Sequence, residues 1–192
     1  MTVFVLNSIL LGIGLAMDAF SVSIANSLNE PGMKDSKMCG IAGTFAGFQF
    51  LMPLLGWFLV HTVSELFTAF QKFIPWIALI LLAFIGGKMV IEGIRGQSEE
   101  EPAPAVGPGA LLVQGVATSI DALSVGFTIS EYDLFMAFSA SLIIAAVTFV
   151  ICIGGLKLGK TVGNALNGKA SVLGGLILIG IGLEIFIKGV FF

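Results

Sequence analysis

Residues 12–27 read GIGLAMDAFSVSIANS, and residues 115–130 read GVATSIDALSVGFTIS. The two stretches align without a gap at a constant spacing of 103 residues, and each carries one aspartate inside an apolar run. The identical pairs include Gly12 with Gly115, Asp18 with Asp121, Ala19 with Ala122, Ser21 with Ser124 and Val22 with Val125. Chance similarity between segments rich in glycine, alanine and serine is the alternative, but a charged residue is rare inside such segments. We therefore interpret the two stretches as one element of an internal repeat.

The composition of the chain is that of a membrane protein. Of its 192 residues, 57% are hydrophobic and only 11% are charged, and the mean hydropathy is +1.05. Soluble domains are about half apolar and about a quarter charged. Apolar runs such as 73–90 and 134–155 approach the ~20 residues that a helix needs to cross the hydrocarbon core. Because backbone polar groups in lipid must be bonded internally, we expect these runs to be helices.

We expect an all-α polytopic membrane protein with six transmembrane helices in two inverted three-helix repeats. The predicted spans are about 3–25, 38–60, 73–94, 109–129, 134–157 and 170–191. The segment 95–108, with three glutamates and three prolines, has the composition of a solvated cytoplasmic linker between repeats at 1–94 and 109–192. Three spans per repeat make the second repeat enter the membrane from the other side. Inverted repeats are common in transporters, whose substrate site lies near the midplane between the repeats.

The repeat extends weakly into the other predicted helices. The same spacing pairs Gly56 with Gly159 in the second helix of each repeat. In the third helices, a shifted alignment pairs Ile91-Glu92-Gly93 with Ile187-Lys188-Gly189. The third helices therefore align with a spacing different from that of the first two.

Lysine and arginine residues predict the orientation. The loops after the first, third and fifth helices hold six of them, whereas the opposite side, both termini included, holds two. The six are Lys34, Lys37, Arg95, Lys157, Lys160 and Lys169, and the two are Lys72 and Lys188. Because loops rich in Lys and Arg stay in the cytoplasm, we expect both termini outside. The first apolar run lacks a basic segment and a cleavage site, so it predicts a retained helix and not a signal peptide.

Two aspartates carry the functional hypothesis. A charged side chain at the centre of a membrane helix costs ~2.5–3.5 kcal/mol on insertion scales, so Asp18 and Asp121 require a compensating partner or a function. No cationic residue accompanies either of them in its own helix, whereas Ser21, Ser119 and Ser124 place hydroxyls nearby. Two facing carboxylates with hydroxyl and carbonyl oxygens form a hard-oxygen site that suits Mn²⁺, Mg²⁺ or Ca²⁺. We therefore predict a metal site at these five residues. The alternative is a structural pair of aspartates that share a proton or are hydrogen-bonded to the helices.

The remaining polar residues of the predicted spans have two interpretations each. Gln49 is either a further ligand of the metal site or an interhelical hydrogen-bonding residue. Two pairs of opposite charge, four residues apart, can bridge along their own helices, and their role stays open. The pairs are Lys88 with Glu92 and Glu184 with Lys188. Cys39 and Cys152 have no paired spacing that would indicate a disulfide or a metal motif.

Five segments of the chain resemble the MntP-type bacterial manganese efflux pumps, and the resemblance covers essentially the whole sequence. The segments are MDAFS (17–21), PLLGW (53–57), IEGIRG (91–96), ATSIDALSVG (117–126) and LIGIG (178–182). The resemblance implies a six-helix exporter of Mn²⁺ in the bacterial inner membrane, with Asp18 and Asp121 at the family's aspartate positions. In some members of the family, the residue at the position that matches Gln49 looks like a carboxylate. This chain has an amide there, so the resemblance implies a different ligand at this position.

The mechanism that these features predict is export by proton-coupled alternating access. Moving a charge of +2 outward against ~100 mV costs ~4.6 kcal/mol at ~2.3 kcal/mol per charge, so export needs coupling. The two carboxylates would exchange the metal for protons. The alternatives are an exporter of another divalent cation or small solute, a structural membrane subunit, and an intramembrane aspartyl protease. The protease would carry Gly-x-Gly-Asp, whereas Asp121 follows Thr-Ser-Ile and Asp18 follows Leu-Ala-Met.

Several other functions are excluded by context. Residues 154–161, GGLKLGKT, fit the phosphate-loop pattern, but they end a predicted membrane helix and do not join a strand to a helix. We expect no nucleotide, no cofactor and no enzymatic activity, and without a basic tract no nucleic acid. The expected partners are the divalent ion and the lipid bilayer. Faces of small residues such as Gly43-x-x-x-Gly47 suit packing within one chain or in a homo-oligomer.

Overall fold

The computed structural model describes residues 2–62, 74–94, 107–165 and 170–191, and every regular element in them is helical. The helices are α1 (Thr2–Asn29), α2 (Asp35–Thr62), α3 (Ile74–Ile94), α4 (Pro108–Thr118), α5 (Ile120–Thr128), α6 (Leu134–Ala165) and α7 (Ala170–Phe191). The prediction of an all-α fold is confirmed. Residues 95–106 of the predicted linker lie outside the described residues.

The lengths of the helices suit a membrane-spanning fold. Four segments of the described chain are long and apolar enough to cross a bilayer, namely Thr2–Asn29, Asp35–Val60, Pro108–Thr128 and Leu134–Gly163. Shorter apolar segments lie at Leu82–Ile91 in α3 and Val172–Ile187 in α7. With 21 and 22 residues, α3 and α7 are each more than 30 Å long at ~1.5 Å per residue. Each of them is therefore also long enough to cross ~30 Å of hydrocarbon.

The predicted fourth span, 109–129, is not a continuous helix. Ser119 separates α4 from α5, and its backbone N–H donates to the Val116 oxygen at 3.2 Å, three residues back and not four. The Ser119 hydroxyl donates a hydrogen bond of 2.6 Å to the Gly115 oxygen. Serine and threonine hydroxyls that bond to helix carbonyls compete with the main-chain donors and favour a bend. The matching position in α1 is Ala16, which has no hydroxyl, and α1 is continuous there.

Local sequence explains several of the helix ends that flank the described loops. Asp133 caps α6, since its Oδ1 accepts a hydrogen bond of 2.7 Å from the Met136 N–H. α4 begins with Pro108, whose missing N–H would have no partner within the helix at that position. Between α1 and α2, Lys37 forms an ion pair with Glu30. These contacts set where the long helices begin and end.

Glycines allow two of the helix interfaces to be very close. In the α1–α6 interface, a Cβ atom at Gly155 would lie 2.8 Å from the Phe20 oxygen, and one at Gly159 would lie 2.6 Å from the Ile24 oxygen. In the α2–α5 interface, a Cβ atom at Gly126 would lie 2.5 Å from the Gly56 Cα atom. Small residues let the backbones of membrane helices approach each other. α1 therefore packs closely against α6, and α2 packs closely against α5.

The third pair is α3 with α7, in which Gly86 and Gly175 face each other. A Cβ atom at either glycine would lie 2.5 Å from the carbonyl oxygen of the other. The packed pairs join into a ring in the order α1, α6, α2, α4/α5, α3 and α7. In this ring the contact between α3 and α4 is much smaller than the contact between α7 and α1. α1 and α4, which belong to opposite sides of this ring, touch each other only at a few positions. Gln49 of α2 lies between α1 and α4 and forms hydrogen bonds to both helices.

Candidate metal site

The structure places the two predicted carboxylates on different helices. Asp18 lies in the middle of α1 and is partly buried, whereas Asp121 lies in the first turn of α5 and is exposed. The start of α5 follows the helix break at Ser119, so Asp121 is close to a helix N-terminus. The partial positive charge of a helix N-terminus stabilises a nearby carboxylate. The break therefore places Asp121 in the first turn of a separate helix segment.

Gln49 of α2 connects the two helix segments that carry the aspartates. Its side chain is fully buried. Its Nε2 atom donates to the Leu15 oxygen of α1 at 3.0 Å and to the Thr118 oxygen of α4 at 3.2 Å. The two acceptors are therefore at most about 6 Å apart, although they are 103 residues apart in the chain.

The two carbonyl groups that Gln49 binds are equivalent in the repeat. Leu15 precedes Asp18 by three residues, and Thr118 precedes Asp121 by three residues. One amide group thus holds the backbone of both aspartate segments at the same point relative to each carboxylate. The sequence left two interpretations of Gln49, an interhelical hydrogen bond and a metal ligand. The hydrogen bond is confirmed, and the role of Gln49 as a ligand stays a prediction.

The orientation of the Gln49 amide leaves an oxygen atom without a partner. Both N–H groups face carbonyl oxygens, and the reverse orientation would set Oε1 against two acceptors, so the nitrogen position is dictated by the surroundings. Oε1 is buried and has no hydrogen-bond partner among the described residues. Pro53, four residues further along α2, has no N–H group, so the Gln49 main-chain carbonyl also lacks its helical donor. A buried oxygen without a donor normally costs free energy, which makes it a candidate to meet a cation or water.

The predicted hydroxyl ligands have different surroundings. Ser21 Oγ donates to the Met17 oxygen at 3.0 Å, and Ser119 Oγ donates to the Gly115 oxygen at 2.6 Å. Each hydroxyl keeps its lone pairs for a cation, since a donor bond uses only the proton. Ser119 is fully buried and Ser124 is exposed on α5, one turn after Asp121. The three serines therefore lie on the aspartate segments themselves, before or after the carboxylate.

Within the described residues, no group of three or more His, Cys, Asp and Glu side chains could hold a metal ion. A site at Asp18 and Asp121 would thus consist of two carboxylates and neutral oxygens. Amide, hydroxyl and main-chain oxygens are ordinary ligands of hard divalent cations.

The predicted charge pairs of the third helices are only partly described. Lys88 and Glu184 are exposed, but the side chains of their predicted partners, Glu92 and Lys188, lie outside the described part of the structure.

Sequence reasoning did not single out the pair Asn26 and Gln114. Asn26 Nδ2 donates to Gln114 Oε1 at 2.8 Å, and Gln114 Nε2 donates to Asn26 Oδ1 at 3.0 Å. Both side chains are fully buried, and they join α1 directly to α4. The signal in the sequence was the position of Asn26, two helical turns after Asp18 and on the same side of α1.

Comparisons with known proteins agree with the resemblance seen in the sequence. The family model described as "Putative manganese efflux pump" matches residues 32–186. A protein of Ruminiclostridium cellulolyticum with the same description is 43% identical over 185 residues, which are 96% of this chain and 96% of that protein. Similar proteins occur in Methanosarcina mazei, with 41% identity over 94% of both chains, and in Rippkaea orientalis, with 39% identity over 96% of both. No solved structure matches the chain.

Proposed function

Because this chain belongs to the MntP family of manganese efflux pumps, we propose that it is a membrane transporter that exports Mn²⁺ from the cytoplasm. The observation that carries the proposal is the bridge from the Gln49 amide to Leu15 and Thr118. It brings together two helix segments that each present an aspartate three residues later. A structural protein would have no evident need for two such carboxylates in an apolar helix bundle.

In this proposal, the ion binds between Asp18 and Asp121. Two carboxylates match the charge of a divalent cation, and the oxygen atoms of Gln49, Ser21, Ser119 and Ser124 complete the ligand set. The unpartnered Gln49 Oε1 supports this arrangement. An all-oxygen set favours Mn²⁺, Mg²⁺ and Ca²⁺ over thiophilic metals.

Outward transport of Mn²⁺ needs a source of free energy, and we propose proton antiport. The same two carboxylates would release the metal when they bind protons, so one site would serve both ions in turn. Within the aligned apolar segments 12–27 and 115–130, Asp18 and Asp121 are the titratable groups. Mn²⁺ transport into vesicles that continues unchanged after the pH gradient is collapsed would rule out this coupling.

Equivalent contacts support the inverted relation between the two halves. A Cβ atom at Gly155 of α6 would meet the Phe20 oxygen and Ser23 Cβ of α1. A Cβ atom at Gly56 of α2 would meet the residues that lie 103 positions further on in α5, the Leu123 oxygen and Gly126 Cα. The first helix of each half thus packs against the second helix of the other half. In these contacts the counterpart of Gly56 is Gly155 and not Gly159.

The third helices give independent support to the same relation. A Cβ atom at Gly86 of α3 would lie 3.1 Å from Leu178 Cβ, and one at Gly182 of α7 would lie 3.1 Å from Leu82 Cβ. Both members of this contact shift by 96 residues, which is the spacing that pairs Ile91 with Ile187 in the sequence. The contact is therefore repeated with its partners exchanged, as a two-fold axis requires.

We propose that α1 moves together with α6, and α2 together with α5. Their glycine contacts are too close for the helices of one pair to slide past each other easily. α1 and α4 share few contacts, whereas α2 and α6 pack closely. The two pairs would therefore rock at the α2–α6 interface and separate between α1 and α4, which opens the space beside the aspartates. Alternating access then opens the site first toward one face of the membrane and afterwards toward the other.

The test of the site uses Asp18→Asn and Asp121→Asn, with Asp35→Asn as the matched control. Asp35 is exposed in the first turn of α2, so the control makes the same chemical change away from the site. In cells without another manganese exporter, we expect both site variants to insert normally, to lose manganese resistance and to accumulate manganese. Full resistance of both site variants would remove the proposed site.

The predicted orientation has its own test. With the loops rich in Lys and Arg in the cytoplasm, both termini of this chain lie outside. A tag at either end should then react with a membrane-impermeant reagent in intact cells. Protection of the tags until the cells are permeabilised would contradict the orientation.

A further inference from the structure

A buried pair of amides, Asn26 and Gln114, links α1 directly to α4 and is not used by the proposed ion site. The two hydrogen bonds of 2.8 and 3.0 Å run in opposite directions, so each amide gives one donor and takes one acceptor. Neither side chain has any exposed surface. α1 and α4 otherwise touch little, so this pair closes a thin contact and not a broad packed interface.

The amide pair lies on the same side of both aspartates. Asn26 is eight residues after Asp18, about 12 Å along α1 at ~1.5 Å per residue. Gln114 is seven residues before Asp121, about 10 Å along the α4–α5 segment. With six spans in alternating directions, the end of α1 and the start of α4 share one face of the membrane. The pair therefore stands between the two carboxylates and that face.

The opposite end of the repeat does not have such a pair. At the spacing of 103 residues, Asn26 corresponds to Ile129 and Gln114 corresponds to Leu11, and both of these residues are apolar. Of these two equivalent pairs of positions, only 26 and 114 hold polar residues. A bond that served only to hold the first helices together would be equally useful at both ends, so the asymmetry points to a role in the direction of ion movement.

We propose that Asn26 and Gln114 form a gate on the route by which a hydrated divalent cation reaches the aspartates from the membrane face where α1 ends. In the closed gate the amides satisfy each other. When α1 and α4 separate, the same groups bond to the water shell of the ion, so opening exchanges hydrogen bonds and exposes no large apolar surface. The distribution of Lys and Arg places this gate on the cytoplasmic side. The inference rests on the proposed function, since it assumes that Asp18 and Asp121 hold the transported ion.

The experiment is a reversible cross-link across the gate. Asn26→Cys and Gln114→Cys are introduced together into a chain whose own cysteines are replaced by Cys39→Ser and Cys152→Ala. The protein is reconstituted into vesicles, Mn²⁺ uptake is measured, and the thiols are joined with a short bifunctional thiosulfonate. We expect uptake before the reaction, loss of uptake to the background of empty vesicles after it, and recovery when a reducing agent cleaves the link.

The matched control joins α1 to α6 at nearly the same depth, with Ser27→Cys and Leu156→Cys. Ser27 Oγ donates to the Leu156 oxygen at 2.6 Å, so these residues are in direct contact. Because α1 and α6 move together in the proposed cycle, this link should leave uptake unchanged. Undiminished uptake by chains linked at the gate would refute the gate and leave the amide pair as a static bond. Absence of Mn²⁺ uptake by the unmodified chain would instead overturn the proposed function.

A second set of variants needs no cysteine. The double variant Asn26→Leu with Gln114→Leu removes both amides at once, so no buried polar group is left without a partner. We expect it to insert and to melt as the parent chain does but to lose Mn²⁺ uptake, because an apolar closure excludes a hydrated ion. The exchanged pair, Asn26→Gln with Gln114→Asn, should retain uptake. Normal uptake by the leucine pair would refute the gate. This test remains decisive even when the cysteine pair is inactive before cross-linking.

Discussion

Replacing Gly56 with alanine tests whether the backbone contact between α2 and α5 holds Asp121 in place. A Cβ atom at Gly56 would collide with the Leu123 carbonyl oxygen and would lie 3.0 Å from Gly126 Cα. These atoms belong to the backbone and cannot turn aside, so α2 and α5 must separate. Overpacking of this kind costs about 3 kcal/mol at the upper end of its range. The higher helix propensity of alanine returns about 1 kcal/mol, which leaves a loss of about 2 kcal/mol.

The matched control is Gly43→Ala in the same helix. A Cβ atom at Gly43 meets nothing within 4 Å, so the substitution adds helix propensity without a collision. The two variants therefore differ in environment and not in chemistry. We expect Gly43→Ala to leave the free energy of unfolding unchanged or to raise it by up to about 1 kcal/mol.

The assays are thermal unfolding of the purified protein and manganese resistance of cells that produce equal amounts of each variant. A loss of about 2 kcal/mol corresponds to a fall in Tm of about 4–8 °C for a chain of this size. Resistance should fall as well, because Gly56→Ala displaces α5, whose first turn carries Asp121. If Gly56→Ala matched Gly43→Ala in both Tm and resistance, the close approach of α2 and α5 would not exist as described.

Three other predictions concern the amide bridge, the third helices and the coupling ion. Gln49→Leu removes two interhelical hydrogen bonds at about 1 kcal/mol each, so we expect lower manganese resistance and a lower Tm. Unchanged resistance and Tm would show that the bridge has no role. Gly86→Ala should lower the Tm because its Cβ atom would lie 2.5 Å from the Gly175 oxygen, while Gly87→Ala, which meets nothing within 4 Å, should not; equal Tm values would contradict the α3–α7 contact. An acidic interior should accelerate Mn²⁺ uptake into everted vesicles, and the acceleration should disappear in the Asp18→Asn variant. A gradient without effect on the parent chain would exclude proton antiport.

The helix break at Ser119 marks the boundary of what the sequence predicted about the site. The positions of Asp18 and Asp121 were evident, because a charge in an apolar run is conspicuous wherever it occurs. The break before Asp121 was not expected, although Thr118 and Ser119 supply the hydroxyls that favour it. Such hydroxyls are tolerated in many continuous membrane helices, so their presence alone does not predict a break.

Gln49 shows a similar limit. The sequence reduced its role to a ligand or an interhelical hydrogen bond, and the structure shows the hydrogen bonds to Leu15 and Thr118. Whether its oxygen also binds the ion stays a prediction, as do the metal site at the aspartates and the inverted relation of the repeats. The family, in contrast, is shown by the comparisons, because the family model matches residues 32–186 and a relative is 43% identical over 96% of this chain.

Membrane class, helical structure and the presence of two matching aspartates followed from the sequence by itself. Each depends on how a short segment interacts with lipid or water, and the apolar length and charge of a segment determine that interaction. The partners of the helices were decided only by the tertiary structure. Asn26 meets Gln114 across 88 residues, and Gln49 reaches two carbonyls that lie in different halves. Contacts of this kind depend on where several backbones pass each other, and no local pattern of residues contains that information.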